Sequence, residues 1–212
     1  MPTAKGGYWL DGKRLPSVTT VLSRFKESGG LIHWSWSLGM EGKDYRDVKQ
    51  EAANAGTCAH DMVECHIRGR AFDPQPYPLE ILTVAENSFG AFRRWSEQSN
   101  VKPAETEVSL ISKRFRFGGT LDAVTLGGEL HLLDWKSSNG VYGDYLMQLA
   151  AYGALWNEAH PDRPVMGYDL VRFSKTEGDF AHYSFVSLKD ELAQFLLLRK
   201  AYEFDQKLKK RI

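Results

Sequence analysis

An α/β fold is predicted for this 212-residue chain: a mixed central β-sheet flanked by helices, with an added N-terminal helical layer. Three observations predict it. Apolar residues recur at helical spacing through most of residues 1–100. The pattern then changes to short runs rich in Val, Leu, Thr and Phe, which read as strands. The strands are also grouped, three together, then a helix, two more strands and a closing helix. That order differs from the regular alternation of a doubly wound Rossmann sheet.

Taken in order, residues 8–15 read as a small hairpin about Asp11-Gly12. Pro16-Ser17 opens a helix with Ser17 as its N-cap and Val18, Val21 and Leu22 as its apolar stripe. Residues 31–40 form a second short helix carrying Trp34 and Trp36. A long helix over residues 44–67 stops at Gly69, and Pro74, Pro76 and Pro78 mark the loop before an amphipathic helix over 79–98. Strands are expected at 105–111, 117–126 and 130–137. Leu146, Leu149, Tyr152 and Leu155 restore the helical period, strands follow at 166–173 and 180–186, and a helix over 188–208 ends the chain.

The composition, 42% hydrophobic and 25% charged without repeats or low-complexity tracts, is that of one globular domain spanning 1–212. Residues 1–100 would be its mostly helical part and 101–212 its sheet-containing core. No apolar run approaches the roughly 20 residues that cross a bilayer, and the first residues lack a signal-peptide core. Cys58 and Cys65 fall on one helix face too far apart to bridge, so a reducing, cytoplasmic setting is expected. The formal net charge of zero argues mildly against a nucleic-acid partner. Local patches outweigh the sum, however. Two candidates are Lys113, Arg114 and Arg116, and a C-terminal cluster of Lys207, Lys209, Lys210 and Arg211. The second also reads as a solvated helix end favoured by the helix dipole.

The segment GGTLDAVTLGGELHLLDWKSS, residues 118–138, carries the chemistry. Two β-like runs meet at a Gly-Gly turn and bear Asp122, Asp134 and Lys136. Two carboxylates supply hard oxygen ligands for Mg²⁺ or Mn²⁺, and a lysine can orient or deprotonate an attacking water, which is what metal-assisted phosphodiester cleavage requires. Acid-x-Lys alone says little, since it recurs at Asp11, Glu41, Asp47 and Asp205. Only Asp134-Trp135-Lys136 lies in an apolar run, where two charges are costly unless paired or metal-bound. The alternative is a solvated edge strand. Register decides whether a site forms. A two-residue turn sets Asp122 against Leu133, whereas a three-residue loop over Gly127 to Glu129, the register expected here, sets it against Asp134.

Two helices flank this hairpin with polar pairs four residues apart, His60 with Glu64 and Gln148 with Tyr152. Each has a plain structural reading: a helix histidine, an exposed glutamine, a core tyrosine. Their repetition beside one acidic hairpin favours a shared site, and imidazole suits Mn²⁺.

In sequence order the segments are Gly56-Thr57 with His60 and Glu64, Gly119 with Asp122, Asp134-Trp135-Lys136-Ser137-Ser138, and Gln148 with Tyr152. This pattern resembles the RecB-type branch of the PD-(D/E)XK nuclease superfamily. Residues 15–22, LPSVTTVL, are similar to the opening of its stand-alone phage and mitochondrial-type exonucleases. The resemblance implies a restriction-endonuclease-like core and a Mg²⁺- or Mn²⁺-dependent DNA exonuclease acting on single strands or DNA ends. It implies metal ligation by His60, Asp122, Asp134 and the carbonyl of Trp135, with catalytic roles for Lys136, Gln148, Tyr152 and Glu64. Recombination or replication proteins would be its partners, with no membrane. Some relatives hold an iron–sulfur cluster on four cysteines; with no cysteine after Cys65, no such cluster is expected here. A non-catalytic DNA-binding subunit and a structure-specific endonuclease are the rival readings. Trp34, Trp36 or Trp135 could stack on unpaired bases, although tryptophans of this kind are more often core.

Overall fold

The computed structural model describes residues 6–26, 29–99, 101–125, 128–138 and 140–211. A hairpin of β1 (Tyr8–Leu10) and β2 (Lys13–Leu15) turns at Asp11 and Gly12, both at positive φ. It leads to α1 (Val18–Arg24), where the Ser17 side chain accepts from the Thr20 amide at 2.9 Å, the expected N-cap. Next come α2 (Gly29–Met40) and α3 (Tyr45–Ile67), the latter capped by Asp44, and then α4 (Leu79–Gln98).

The sheet is built from β3 (Pro103–Ser112), β4 (Phe117–Thr125), β5 (His131–Ser137), β6 (Gly167–Phe173) and β7 (Phe180–Phe185), in that spatial order. All neighbours are antiparallel except β5 and β6, which run parallel because α5 (Gly143–Ala159) crosses between them. The chain closes with α6 (Lys189–Lys209). The α/β architecture with a mixed sheet is therefore the one expected, and element ends differ from the expected bounds by at most two residues, the larger differences falling at the starts of α2 and β3. Leu126, Gly127 and Asn139, which end the expected strand, open its loop and follow the motif, lie outside the described residues, as does the segment before Gly6.

Helices cover both faces. Val18, Val21, Phe117, Leu121, Leu132, Leu149, Leu155, Trp156 and Phe195 join α1, α5 and α6 to one face. Val63, Phe92 and Trp95 join α3 and α4 to the other through Leu133, Trp135, Val171 and Phe173. Consecutive residues Leu132 and Leu133 thus face opposite layers, as the period-two geometry of a strand requires. Ala55, Cys58, Ala59, Met62, Ile81 and Ala85 fill the seam between α3 and α4, at the three- and four-residue spacing of facing helices. Cys58 and Cys65 are free thiols, and among the described residues no helix is long and apolar enough to cross a membrane.

One polar group staples the far side of the sheet. Asp169 on β6 accepts from His131 Nδ1 on β5 at 2.8 Å, from His182 Nε2 on β7 at 2.8 Å, and from Ser184. Trp95 Nε1 donates to His182 Nδ1 at 3.3 Å, tying α4 to the same network and fixing the proton of His182 on Nε2. Burial opposes ionisation of Asp169, but the bonds from His182, Ser184 and His131 outweigh it and hold its pKa below the ordinary carboxylate value. Asp169→Ala should therefore cost about 1–3 kcal/mol, because it removes the acceptor that three donors on neighbouring strands share, two of them half-buried histidines. Urea unfolding of the variant against the wild type is the check, with Asp169→Asn expected to lose less.

Candidate active site

The sheet forks where the acidic residues sit. β4 and β5 pair at Ala123–Leu133 and Val124–Leu132, which puts Asp122 opposite Asp134 in the next position. This is the register of the three-residue loop. At the fork the Asp122 carboxylate replaces a ladder partner, accepting from the Trp135 amide at 3.0 Å. Asp134 and Lys136 alternate onto the α5 side, where the Lys136 ammonium pairs with Asp134 Oδ2 and lies 5.4 Å from the centre of the Tyr145 ring. Gln148 on α5 donates to Asp134 Oδ1 at 3.3 Å and to the Tyr152 hydroxyl at 2.8 Å. Both are buried, so Gln148 is no surface filler. Gly119 permits this arrangement: a Cβ there would come within 2.7 Å of the Tyr152 ring.

From α3, His60 reaches Asp122, with Nδ1 3.9 Å from Oδ1. This is not an ion pair. Burial, with Lys136 nearby, pushes the imidazole down to about 4, so it is neutral and carries a lone pair. Among the described residues, nothing hydrogen-bonds the buried Nδ1. Glu64, one turn along, is held instead by Arg68 at 3.1 Å and Arg70 at 2.8 Å. Trp135 is 3% exposed and packs against Phe92, so it cannot stack on a base; Trp36 is 62% exposed.

Sequence reasoning missed Glu107. It lies on β3 between the Thr106–Ala123 and Val108–Leu121 pairs, hence opposite Asp122. It adopts φ +56, a left-handed conformation that costs a non-glycine residue about 1–3 kcal/mol and gathers at functional sites. Donor atoms of His60, Glu107 and Asp122 all lie within 4.8 Å of one another. The signal was available, because drawing the β3–β4 hairpin from its turn at residues 113–116 sets Glu107 against Asp122.

The charges do not balance. Three carboxyl groups, Glu107, Asp122 and Asp134, face one ammonium and a neutral imidazole. Burial and then Asp122 raise Glu107 to about 8. Burial raises Asp134 to about 7, with Lys136 opposing, and raises Asp122 as well. Lys136 is held above its ordinary value by the two aspartates despite burial, so it is a protonated ammonium. The cluster fits a divalent cation on this donor chemistry. Oxygen and imidazole donors converge beside an unpaired nitrogen, and two charges would balance the excess.

No family model matches the sequence, and no curated protein does. Solved structures to which the chain is similar include one described as SSO0001, at 22% identity over 61% of this chain with a TM-score of 0.40. This chain spans 62% of that one. Others are a putative exonuclease from Eubacterium rectale (11% identity, 69% and 68% of the two chains, TM-score 0.48) and an alkaline exonuclease from Laribacter hongkongensis (15% identity, 92% and 94%, TM-score 0.43). All are remote in sequence and partial in fold, so function has to be read from the site.

Glu107 gives a pH test on metal-free protein. Its carboxyl is neutral in the folded chain up to about 8, whereas the unfolded chain ionises near the ordinary value of 4.5. The folded state holds the extra proton between those values, so stability falls as pH rises through that window and levels off above it. Melting temperatures in chelator between pH 5 and 8 should fall for the wild type and fall less for Glu107→Gln. Equal slopes would mean that the carboxyl is ionised in the fold.

Proposed function

We propose that this chain is a Mg²⁺- or Mn²⁺-dependent DNA exonuclease acting on single strands or DNA ends. The observation that carries the reading is the buried excess of carboxyl groups beside one lysine and an imidazole nitrogen that has no hydrogen-bond partner among the described residues. His60, Glu107 and Asp122 would hold the cation, with Asp134 and the Trp135 carbonyl at the margin. When bound, the cation would polarise a phosphoryl oxygen and lower the pKa of a water.

The chain's own groups do the rest. Lys136 carries its proton in the resting site, so its part is to hold a water or a phosphate oxygen in place rather than to remove a proton. Gln148 fixes the rotamer of Asp134 and is itself anchored by Tyr152. Glu64, engaged by two arginines, adds negative potential at Glu107, and its loss should do less harm. The order of motifs, which resembles RecB-type PD-(D/E)XK nucleases, supports the same reading, and recombination or replication proteins are the partners such an enzyme would serve.

End-labelled linear single-stranded DNA and a closed single-stranded circle, incubated with Mg²⁺ or Mn²⁺, separate the alternatives. Loss of the linear strand with survival of the circle is expected. Cutting of the circle would mean an endonuclease, and binding without cleavage a non-catalytic module. Lys136→Ala should lower the cleavage rate about 100-fold or more, with DNA binding in Ca²⁺ nearly unchanged. His60→Ala should lose more activity in Mn²⁺ than in Mg²⁺, since imidazole favours the former.

A further inference from the structure

A large cavity lies away from the carboxyl cluster. It has a volume of about 880 Å³ and is walled by the β1–β2 hairpin, the start of α1 and the end of α6. From α6, Arg199, Tyr202, Glu203, Gln206 and Lys210 face it, at the three- and four-residue spacing of one helix face. Trp9 and Arg14 face it from the hairpin. The hairpin motif and the basic C-terminal end of the sequence, neither of which the nuclease site uses, thus meet here.

Three features of this wall point to one ligand chemistry. The Trp9 ring is 54% exposed, yet it is fixed, because its indole N–H donates to the Gly6 carbonyl at 2.7 Å. A large exposed aromatic face held in one orientation is a stacking platform. Cations line the same wall, with Arg14 directly across the hairpin from Trp9. Arg14 and Lys210 make no ion pair among the described residues, and Arg199 holds its place by donating to the Arg116 carbonyl at 3.0 and 2.9 Å. The one carboxylate in the wall, Glu203, lies 2.6 Å from Lys207 and 4.0 Å from Arg199, so it is already engaged and the wall's three cations leave the cavity a net positive charge. A flat ring with flanking cations matches a base with flanking phosphates, the combination by which proteins hold single strands without reading sequence.

The wall is also joined rigidly to the strand that carries Asp122. The Tyr8 ring lies against Gly118, where a Cβ would clash with it, and the Tyr8 hydroxyl contacts Thr120 Oγ1 at 2.8 Å. The Gly118 amide donates to the Pro16 carbonyl at 3.0 Å, and Ser17 bridges Gly118. A strand seated in the cavity would therefore sit at a fixed distance from the fork.

We propose that this cavity is an accessory binding groove for single-stranded nucleic acid, with a base on Trp9 and phosphates on Arg14, Arg199 and Lys210. It rests on the nuclease reading for its purpose but not for its test, which measures binding alone. Fluorescein-labelled oligothymidylate is titrated in Ca²⁺ over a range of salt concentrations, against wild type, Trp9→Ala, Trp9→Phe and Arg14→Ala/Lys210→Ala. Trp9→Ala should weaken binding about tenfold and Trp9→Phe should largely restore it, since any aromatic face stacks. The double variant should lower the slope of log affinity against log salt by about 1.4, from about 0.7 per lost phosphate contact. Linear-DNA cleavage by the same variants should slow at low DNA concentration and recover at saturation. Melting curves matching the wild type keep the comparison clean, and all three substituted side chains are exposed. Unchanged affinity and salt slope would overturn the proposal, as would thymidine monophosphate competing as well as the oligomer. A wild type that binds oligomer with these dependences but cleaves nothing would sink the nuclease reading and leave the groove standing.

Discussion

The rest of the site depends on an imbalance of charge at one point in the sheet, where β4 and β5 part and three carboxyl groups share a single lysine. Charges removed from water must be paired or neutralised, and here the protein supplies too few cations to do it. Nearby geometry maintains this unfavourable arrangement. Asp122 is held by the Trp135 amide, Asp134 by Gln148 and Lys136, and Glu107 by a left-handed backbone that a free strand would not adopt. The apolar layers on both faces keep the fork closed, with Trp135 packed against Phe92 on one side and Tyr152 against Gly119 on the other. Stability is given up locally and made good by the surrounding core, a recognised feature of functional sites.

Much of this was legible in the sequence because it was written in local patterns. Strand and helix ends follow from Ser17, Asp44, Gly69 and the prolines at 74–78, all of which act through neighbouring backbone. The pairing of Asp122 with Asp134 was legible because only one loop length puts both on a common face, and Ala123–Leu133 confirms that register. Glu107 escaped because its role is not local. In Thr106-Glu107-Val108 it looks like the polar half of a half-buried edge strand, and only its partner strand gives it meaning. Trp135 carried two readings, base stacking and core, and the structure selects the second. An aromatic next to two charges suggests a binding surface, yet alternation sends it to the opposite face, into the layer of α3 and α4. Gln148 was ambiguous for a related reason, since α5 is buried on nearly every side and its amphipathic signal is weak.

The contrast with Asp169 shows why the fork reads as a site rather than as a structural ion cluster. Asp169 and Asp122 lie on the same sheet and are equally hidden, 2% and 3% exposed. Around Asp169 the donors are sufficient, and its pKa falls below the ordinary value; around Asp122 and Asp134 they are not, and both rise. Burial pushes all three up, and more fully at Asp122 and Asp134; at Asp169 three donors outweigh it, whereas at the fork Lys136 and the Trp135 amide do not. A carboxylate satisfied from three sides stabilises the fold and has no capacity left for a ligand. Carboxyl groups left short of positive charge, beside an imidazole whose Nδ1 has no partner among the described residues, destabilise the empty fold and gain most from a cation that fits. Strand pattern alone does not distinguish these two uses of a buried acid, since Asp122 in Leu121-Asp122-Ala123 and Asp169 in Tyr168-Asp169-Leu170 each read as a lone Asp in an apolar strand. What separates them is which neighbouring strands bring donors and which bring further acids, and that is a property of the sheet order.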